Sequence, residues 1–169
     1  YSGQSDNPKS YLLEDTYWDG RDSKGEKLED GLYTYVVRYT PDVPGAKEQQ
    51  ITFKLQIDTQ KPLISSGYIS TKDGSETFTA RKPKDVGNGG ILREQVFYLQ
   101  ADEKGKETYK AVDDFGIERD YERRVYISAN ADGSYTLPKG VDKSKIFYVV
   151  EDYAGNRDAI ALSELVSAE

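Results

Sequence analysis

The chemistry open to this chain is mainly that of carboxylates, because its 169 residues include no histidine and no cysteine. Histidine is the side chain that titrates near neutral pH, and a thiolate is a common nucleophile and zinc ligand. Their absence excludes a Ser-His-Asp triad, a Cys-His pair and an ordinary zinc site. Carboxylate catalysis, Ser-Lys chemistry and calcium binding remain open.

The most specific acidic pattern begins at Trp18, where Trp-Asp-Gly is followed further on by Asp-Gly-Leu-Tyr. Calcium prefers clustered oxygen ligands, and this loop offers Asp19, Asp22, Glu29 and Asp30. The spacing differs from that of an EF-hand loop. The alternative is a long hairpin loop closed by Asp-Gly, with Trp18 over the end of a sheet. We favour this structural interpretation and keep calcium, at Asp19, Asp22 and Asp30, as a possible ligand.

Pairs of acidic residues close in sequence could supply glycosidase chemistry, which needs two carboxyl groups that face each other across a sugar. The pairs in this chain are Asp113/Asp114, Asp102/Glu103 and Glu118/Asp120. All of them lie in polar, turn-like stretches that are typical of solvated loop charges. The sequence also lacks a Ser-x-x-Lys helix and a Gly-x-x-x-x-Gly-Lys phosphate loop. We therefore expect no catalytic residue and no cofactor other than calcium.

Tyrosine, with fourteen copies, is the other functional signal, because it is enriched at protein interfaces. Tyrosines within predicted strands are expected to pack in the core or across a sheet. These are Tyr33, Tyr35, Tyr39, Tyr68, Tyr98, Tyr126 and Tyr148. Tyr109, Tyr121 and Tyr153 lie in predicted connections and are the candidate partner-binding residues.

Alternation of apolar and polar residues is strongest between Leu32 and Asp58 and predicts two long antiparallel strands joined at Pro41–Gly45. The apolar positions of the second strand are Ile51, Phe53, Leu55 and Ile57. A register slip by one residue would expose them and bury Lys54, so the buried face is fixed.

Beyond a junction at Asp58–Pro62, seven shorter runs predict further strands. They are Leu63–Ser70, Thr77–Arg81, Gln95–Ala101, Arg124–Ala129, Ser134–Leu137, Ile146–Glu151 and Asp158–Leu162. About seven short strands with a turn every 8–12 residues predict an immunoglobulin-like or fibronectin-type-III-like β-sandwich. Residues 113–123 lack a clear period and are expected to be an excursion between strands. Asp152–Asn156 predicts a tight turn, with a ligand role for its ends as the alternative.

The chain is therefore predicted to be all-β, with a sandwich module at 59–169. Residues 1–58 contain two clear strands and a weaker one near Tyr11–Leu13, too few to cover a sheet. They are either the C-terminal strands of an incomplete module or strands that pack on the second module, and we favour the first interpretation. A start at Tyr1 rather than Met is typical of a fragment.

Charge and hydropathy limit the classes of partner that this chain is expected to bind. The net charge of −7 disfavours nucleic acid, which needs a basic face. The longest apolar run, Ile146–Val150, is far shorter than the roughly 20 residues of a membrane helix.

Two segments carry a family resemblance. They are the Trp-Asp-Gly…Asp-Gly-Leu-Tyr-Thr-Tyr pattern and Val150–Asn156, which includes Asp-Tyr-Ala-Gly-Asn. With the Asp-Thr-x-x-Pro junction, they resemble the fibronectin-type-III-like modules that follow the protease domain in streptococcal cell-envelope subtilisin-like serine proteases. That group includes C5a peptidase, a chemokine-cleaving protease and lactocepin-type caseinases. Residues 80–125 add little to the resemblance.

The resemblance implies an extracellular, cell-wall-associated accessory region without catalytic residues. Its partners would be the rest of the parent protease and a protein substrate, with no membrane insertion. The alternative is an adhesin module that binds a host protein or glycan directly. An exposed aromatic patch around Tyr109, Tyr121 and Tyr153 would favour the adhesin.

Overall fold

The computed structural model describes residues 18–87 and 89–165, and the chain divides into two compact units after Thr59. The predicted all-β class is confirmed, because the described residues form several small antiparallel sheets, as β-sandwich modules do. Within residues 18–87 and 89–165, helical structure is limited to one turn at Lys143–Lys145 and helix α1 (Leu162–Leu165). In the described part of the chain, no helix is long and apolar enough to span a membrane. The weaker strand expected near Tyr11–Leu13 lies outside the described residues.

From residue 18 onward, the first unit contains one antiparallel pair, β1 (Gly31–Tyr39) and β2 (Gln49–Ile57). Tyr35 lies opposite Phe53 in the register, so the apolar residues of both strands share one face, as predicted. The expected burial is incomplete: Ile51 and Phe53 are about half exposed. The physical reason is that no second sheet covers this face among the described residues of the unit. Trp18 stacks on Tyr35 with ring centroids 6.4 Å apart.

The described residues of the second unit form nine strands in three sheets. In chain order they are β3 (Gly67–Lys72), β4 (Ser75–Ala80), β5 (Ile91–Leu99), β6 (Thr108–Val112), β7 (Glu118–Glu122), β8 (Arg124–Ile127), β9 (Tyr135–Thr136), β10 (Ile146–Asp152) and β11 (Arg157–Ala161). One sheet has the order β11-β10-β5-β8, a second has the order β3-β4-β9, and β6 pairs only with β7.

The core of the second unit lies between the four-stranded and three-stranded sheets. Phe78 on β4 meets Tyr148 on β10 edge to face, with ring centroids 5.6 Å apart, and both are fully buried. Val96, Val150 and Leu162 complete the centre of the same cluster. Two sheets that face each other across one apolar layer are the arrangement of a β-sandwich.

The buried hydroxyl of Tyr148 is satisfied within the unit. It donates a hydrogen bond to the carboxylate of Glu94 on β5. Burial, followed by the interaction with Glu94, raises the pKa of Tyr148 well above its ordinary range. The phenol therefore stays a neutral donor, and the core carries no unpaired charge at this position.

Segment 113–123 was expected to be an excursion, and that expectation is wrong. Most of it belongs to the hairpin β6–β7, in which Lys110 forms an ion pair of 2.9 Å with Glu118. Both strands are largely exposed, so neither face selects apolar residues and the sequence shows no alternation. Cross-strand charge and aromatic pairs take the place of a buried face.

One type of turn recurs along the chain, and we call it the Asp-capped turn. An aspartate at the first position accepts backbone N–H groups from the third and fifth residues, and a glycine with positive φ occupies the fourth. Asp22, Asp102 and Asp113 make both bonds, at 2.8–3.0 Å. Asp152 makes the second of them, to Asn156, at 2.9 Å. The four glycines have φ between 76° and 88°, which favours glycine over other residues.

Replacing Phe78 by Ala should lower the free energy of unfolding by about 3–5 kcal/mol, because the change leaves a cavity between the two sheets. Tyr68→Ala on β3 is the matched control, since that ring is exposed, and its effect should stay within about 0.5 kcal/mol. Urea denaturation followed by circular dichroism measures both variants. Equal losses would contradict a core centred on Phe78.

A charged row crosses the end of the four-stranded sheet. Glu151 is buried and forms ion pairs with Arg93 at 2.6 Å and Arg157 at 3.0 Å. The hydrogen bond from Arg157 lowers the pKa of Glu151, burial opposes this, and Arg93 adds to the lowering. The net result is a pKa below the ordinary value of 4.5.

This row predicts a loss of stability in acid. A carboxyl with a lowered pKa in the folded state stabilises the fold above its unfolded pKa, and that stabilisation disappears as pH falls from 4.5 through the folded value. The free energy of unfolding should therefore fall more steeply with decreasing pH in the wild type than in Glu151→Gln. Glu103→Gln, at an exposed turn position, should keep the wild-type slope. Parallel slopes for all three proteins would contradict the prediction.

Candidate functional site

The candidate site is the hairpin β6–β7 together with an open groove beside it. The groove has a volume of about 570 Å³. Its lining includes Gln100, Asp102, Tyr109, Arg123, Arg124 and Tyr126. These residues come from the end of β5, the hairpin and strand β8, so the fold joins three separate stretches of sequence at one surface.

The hairpin presents an aromatic pair. Tyr109 and Tyr121 lie directly opposite each other in the register and stack with centroids 5.8 Å apart. The guanidinium of Arg123 lies 5.3 Å from the centre of the Tyr109 ring, within cation–π range. Arg123 also faces Asp102 at 3.6 Å, which ties the hairpin to the turn after β5. The expectation that these tyrosines lie in connections is wrong, but the structure does bring the two together.

Strand β8 supplies the other wall of the groove. Arg124 covers the ring of Phe97 at 4.6 Å and forms an ion pair of 2.7 Å with Glu122. Burial lowers the pKa of Arg124, but the hydrogen bonds with Glu122 and Tyr126 outweigh it and the net shift is upward. Tyr126 packs across the sheet as predicted, because it lies opposite Phe97 in the register and the two ring centroids are 5.7 Å apart. The ring is still about half exposed, since β8 is an edge strand with one neighbour.

Asp102 is held as an anion at the end of the groove. The hydrogen bond from the Lys106 backbone lowers its pKa most, burial opposes this, and the bond from Lys104 and the charge of Arg123 add to the lowering. The groove therefore combines tyrosine rings with fixed charges of both signs. This composition suits contact with a polypeptide, because Tyr and Arg dominate the strongest contacts at protein interfaces.

Tyr153 does not join this site. It follows β10 in an Asp-capped turn, and its N–H donates to the carbonyl of Gly90 at 3.1 Å. Asp152 pairs with Ile91 at one end of β5, whereas Arg124 pairs with Leu99 at the other. Eight residues of strand place these ends about 26 Å apart. The structure thus separates Tyr153 from the pair formed by Tyr109 and Tyr121.

The three predicted calcium ligands accept hydrogen bonds within the first unit. Asp22 caps its turn, Asp19 accepts the N–H of Arg21 at 3.1 Å, and Asp30 accepts both the N–H and the hydroxyl of Thr59 at 3.0 Å. Among the described carboxylates, these three do not gather with oxygens within 4.8 Å of one another. The loop geometry matches the structural interpretation that we favour, and calcium binding at these three residues stays the alternative.

The loop geometry gives a calcium test. Because the carboxylates already accept backbone N–H groups, millimolar CaCl₂ should leave the Tm of the wild-type protein unchanged. Replacing Asp22 by Ala should destabilise the protein by about 1–2 kcal/mol through loss of two hydrogen bonds. A calcium-dependent rise in Tm that Asp22→Asn abolishes would instead show that the loop binds the ion. Differential scanning calorimetry measures the calcium dependence of Tm in the wild type and in Asp22→Asn, and the stability loss of Asp22→Ala.

The comparisons with curated proteins match this chain to part of a peptidase. No family model matches the chain. C5a peptidase from Streptococcus pyogenes is 37% identical over 158 residues, which is 87% of this chain. The corresponding proteins from serotypes M18 and M3 are 38% and 34% identical. The chain spans only about 12% of the length of these curated relatives. It is therefore homologous to one region of C5a peptidase, a streptococcal protease.

Proposed function

We propose that this chain is a non-catalytic accessory region of a C5a peptidase-like serine protease, acting as a spacer and helping to position a protein substrate. The observation that carries the proposal is the match itself, which covers 87% of the chain but about 12% of the relative. A segment of that size without histidine lacks the general base of a serine protease triad. The catalytic groups would lie elsewhere in the longer protein, which we call the parent protease.

The spacer role is supported by the construction of the second unit. A core centred on Phe78 and Tyr148 joins two hydrogen-bonded sheets. Such packed modules resist deformation, because their interiors are as dense as molecular crystals. A rigid module holds an enzyme at a defined distance from its anchor. We place the parent protease outside the cell, at the bacterial cell wall, by analogy with the streptococcal relative.

The substrate-positioning role is supported by the groove. Tyr109, Arg124 and Tyr126 line it, and each is at least partly open to solvent. Rigid aromatic rings bury large areas at little entropic cost, which makes them effective contact residues. The protein substrate expected from the relative's name is C5a.

We also propose that residues 1–58 are the C-terminal strands of an immunoglobulin-like or fibronectin-type-III-like module. The support is the open apolar face of β1 and β2, on which Ile51 and Phe53 are half exposed. Other strands of the same polypeptide would cover this face and complete a sandwich, while 59–169 forms the next module. A structure of the parent protease that leaves Phe53 in solvent would contradict this assignment.

An adhesin is the second candidate function, and the exposed rings of Tyr109 and Tyr126 favour it. The separation of Tyr153 from the hairpin removes part of the aromatic patch that an adhesin would use. Saturable binding of the isolated chain to a host protein or glycan, lost in Tyr121→Ala, would favour the adhesin over the accessory region.

The accessory role predicts a specific division of activity. The purified chain should cleave neither C5a nor a short peptide that contains the scissile bond, because it supplies no nucleophile–base pair. Deleting residues 60–169 from the parent protease should lower kcat/KM for C5a and leave kcat/KM for the short peptide unchanged. Mass spectrometry of the cleavage products measures the rates for C5a and for the short peptide.

The control for this experiment is the intact parent protease assayed at equal active-site concentration. Inhibitor-sensitive proteolysis by the purified chain would refute the absence of catalysis. Equal loss on both substrates after deletion would show that the region only supports the folding of the catalytic domain.

A further inference from the structure

The tip of hairpin β6–β7 exposes an apolar cluster that the fold does not use. Val112, Phe115 and Ile117 are 65%, 86% and 51% exposed. Single exposed apolar residues are normal on protein surfaces, whereas a local cluster marks an interaction site more often. These three lie within six consecutive residues at the turn of one hairpin. We call them the tip cluster.

The tip cluster is held in place before any partner binds. Asp113 accepts the N–H of Phe115 at 3.0 Å and the N–H of Ile117 at 2.9 Å. The same carboxylate forms an ion pair of 2.6 Å with Arg119. Gly116 closes the turn with φ of 77°. A pre-formed loop loses little conformational entropy on binding, so exposed apolar area is converted into affinity more efficiently.

The charges around the tip cluster indicate what it contacts. Lys110 is paired with Glu118 and Arg119 with Asp113, so the basic side chains of the hairpin strands are already neutralised. Asp114 and Asp120 have no ion pair among the described residues. The cluster therefore sits in a negative field, which opposes an anionic membrane surface and favours a basic protein surface.

We propose that the tip cluster is a docking element that inserts Phe115 into an apolar pocket on a basic surface of the parent protease's protein substrate. This inference rests on the proposed accessory function and gives it a named contact. Phe115 supplies the buried anchor, Val112 and Ile117 seal the rim, and Asp114 and Asp120 steer the approach. The hairpin is a suitable carrier because its tip can be buried without disturbing the sandwich core.

The test compares Phe115→Ser with Leu32→Ser in the full-length parent protease, with immobilised C5a as the probe. Leu32 is the matched control, because it is 81% exposed and lies on β1 of the first unit. With the protease inactivated by a serine-protease inhibitor, surface plasmon resonance measures binding. Phe115→Ser should weaken binding at least about ten-fold, mainly through faster dissociation, and Leu32→Ser should bind like the wild type.

The acidic residues give a second, independent measurement. Asp114→Asn combined with Asp120→Asn should slow association and flatten its dependence on ionic strength, while dissociation changes little. In the active enzyme, Phe115→Ser should raise KM for C5a without changing kcat/KM for the short peptide. Thermal unfolding of each variant should match the wild type, since the replaced side chains are exposed.

Several outcomes would overturn the proposal. Absence of C5a binding, unchanged binding by Phe115→Ser, or equal weakening by Leu32→Ser would each do so. Binding to vesicles of phosphatidylglycerol that Phe115→Ser abolishes, with C5a binding intact, would assign the tip to a membrane instead. Failure of the proposed function is distinguishable, because deletion of residues 60–169 would then leave C5a binding and cleavage unchanged.

Discussion

The hairpins of this structure depend on one recurring interaction, in which an aspartate caps the turn that it begins. At Asp22, Asp102 and Asp113 one carboxylate oxygen accepts two backbone N–H groups, and Asp152 repeats the arrangement in part. These bonds satisfy donors that a tight reversal would otherwise leave to water, and the accompanying glycine supplies the positive φ that a side chain would resist. Each such turn sends the chain back antiparallel to itself, which is why short polar segments form ordered hairpins.

The same interaction decides what the acidic residues can do. A carboxylate that accepts two N–H groups has fewer lone pairs left for a metal ion, and removing it from that role costs the turn its cap. Acidic clusters in this sequence therefore have a structural explanation before a chemical one. The explanation extends to the docking role that we propose for the tip cluster, because the carboxylate of Asp113 that orders the turn also accepts the N–H of Phe115.

Where one face of a strand is apolar in sequence, as in β2 and β10, the sequence predicts the strand; where neither face is apolar, it does not. β10 alternates between core residues such as Tyr148 and the outer face, and its position follows from that period. Strands β6 and β7 have solvent on both faces, so the stacking of Tyr109 on Tyr121 has no periodic signal. The turn between β6 and β7 nevertheless has a sequence signal, because the pattern Asp-x-x-Gly-x recurs at Asp22, Asp102, Asp113 and Asp152. The separation of Tyr153 from the other tyrosines depends on strand order, which local patterns do not contain.

The division between core and hairpin also bears on the accessory role that we propose. Stability comes from the layer around Phe78 and Tyr148, which the hairpin β6–β7 does not enter. Substitutions at the hairpin surface therefore cost little folding free energy. Substitutions in the core, in turn, do not alter which side chains the surface exposes. A contact surface built this way can change its partner while the module that carries it stays the same. In the proposed function, the contacts with a partner come from the turns, and the sheets determine where those turns are held.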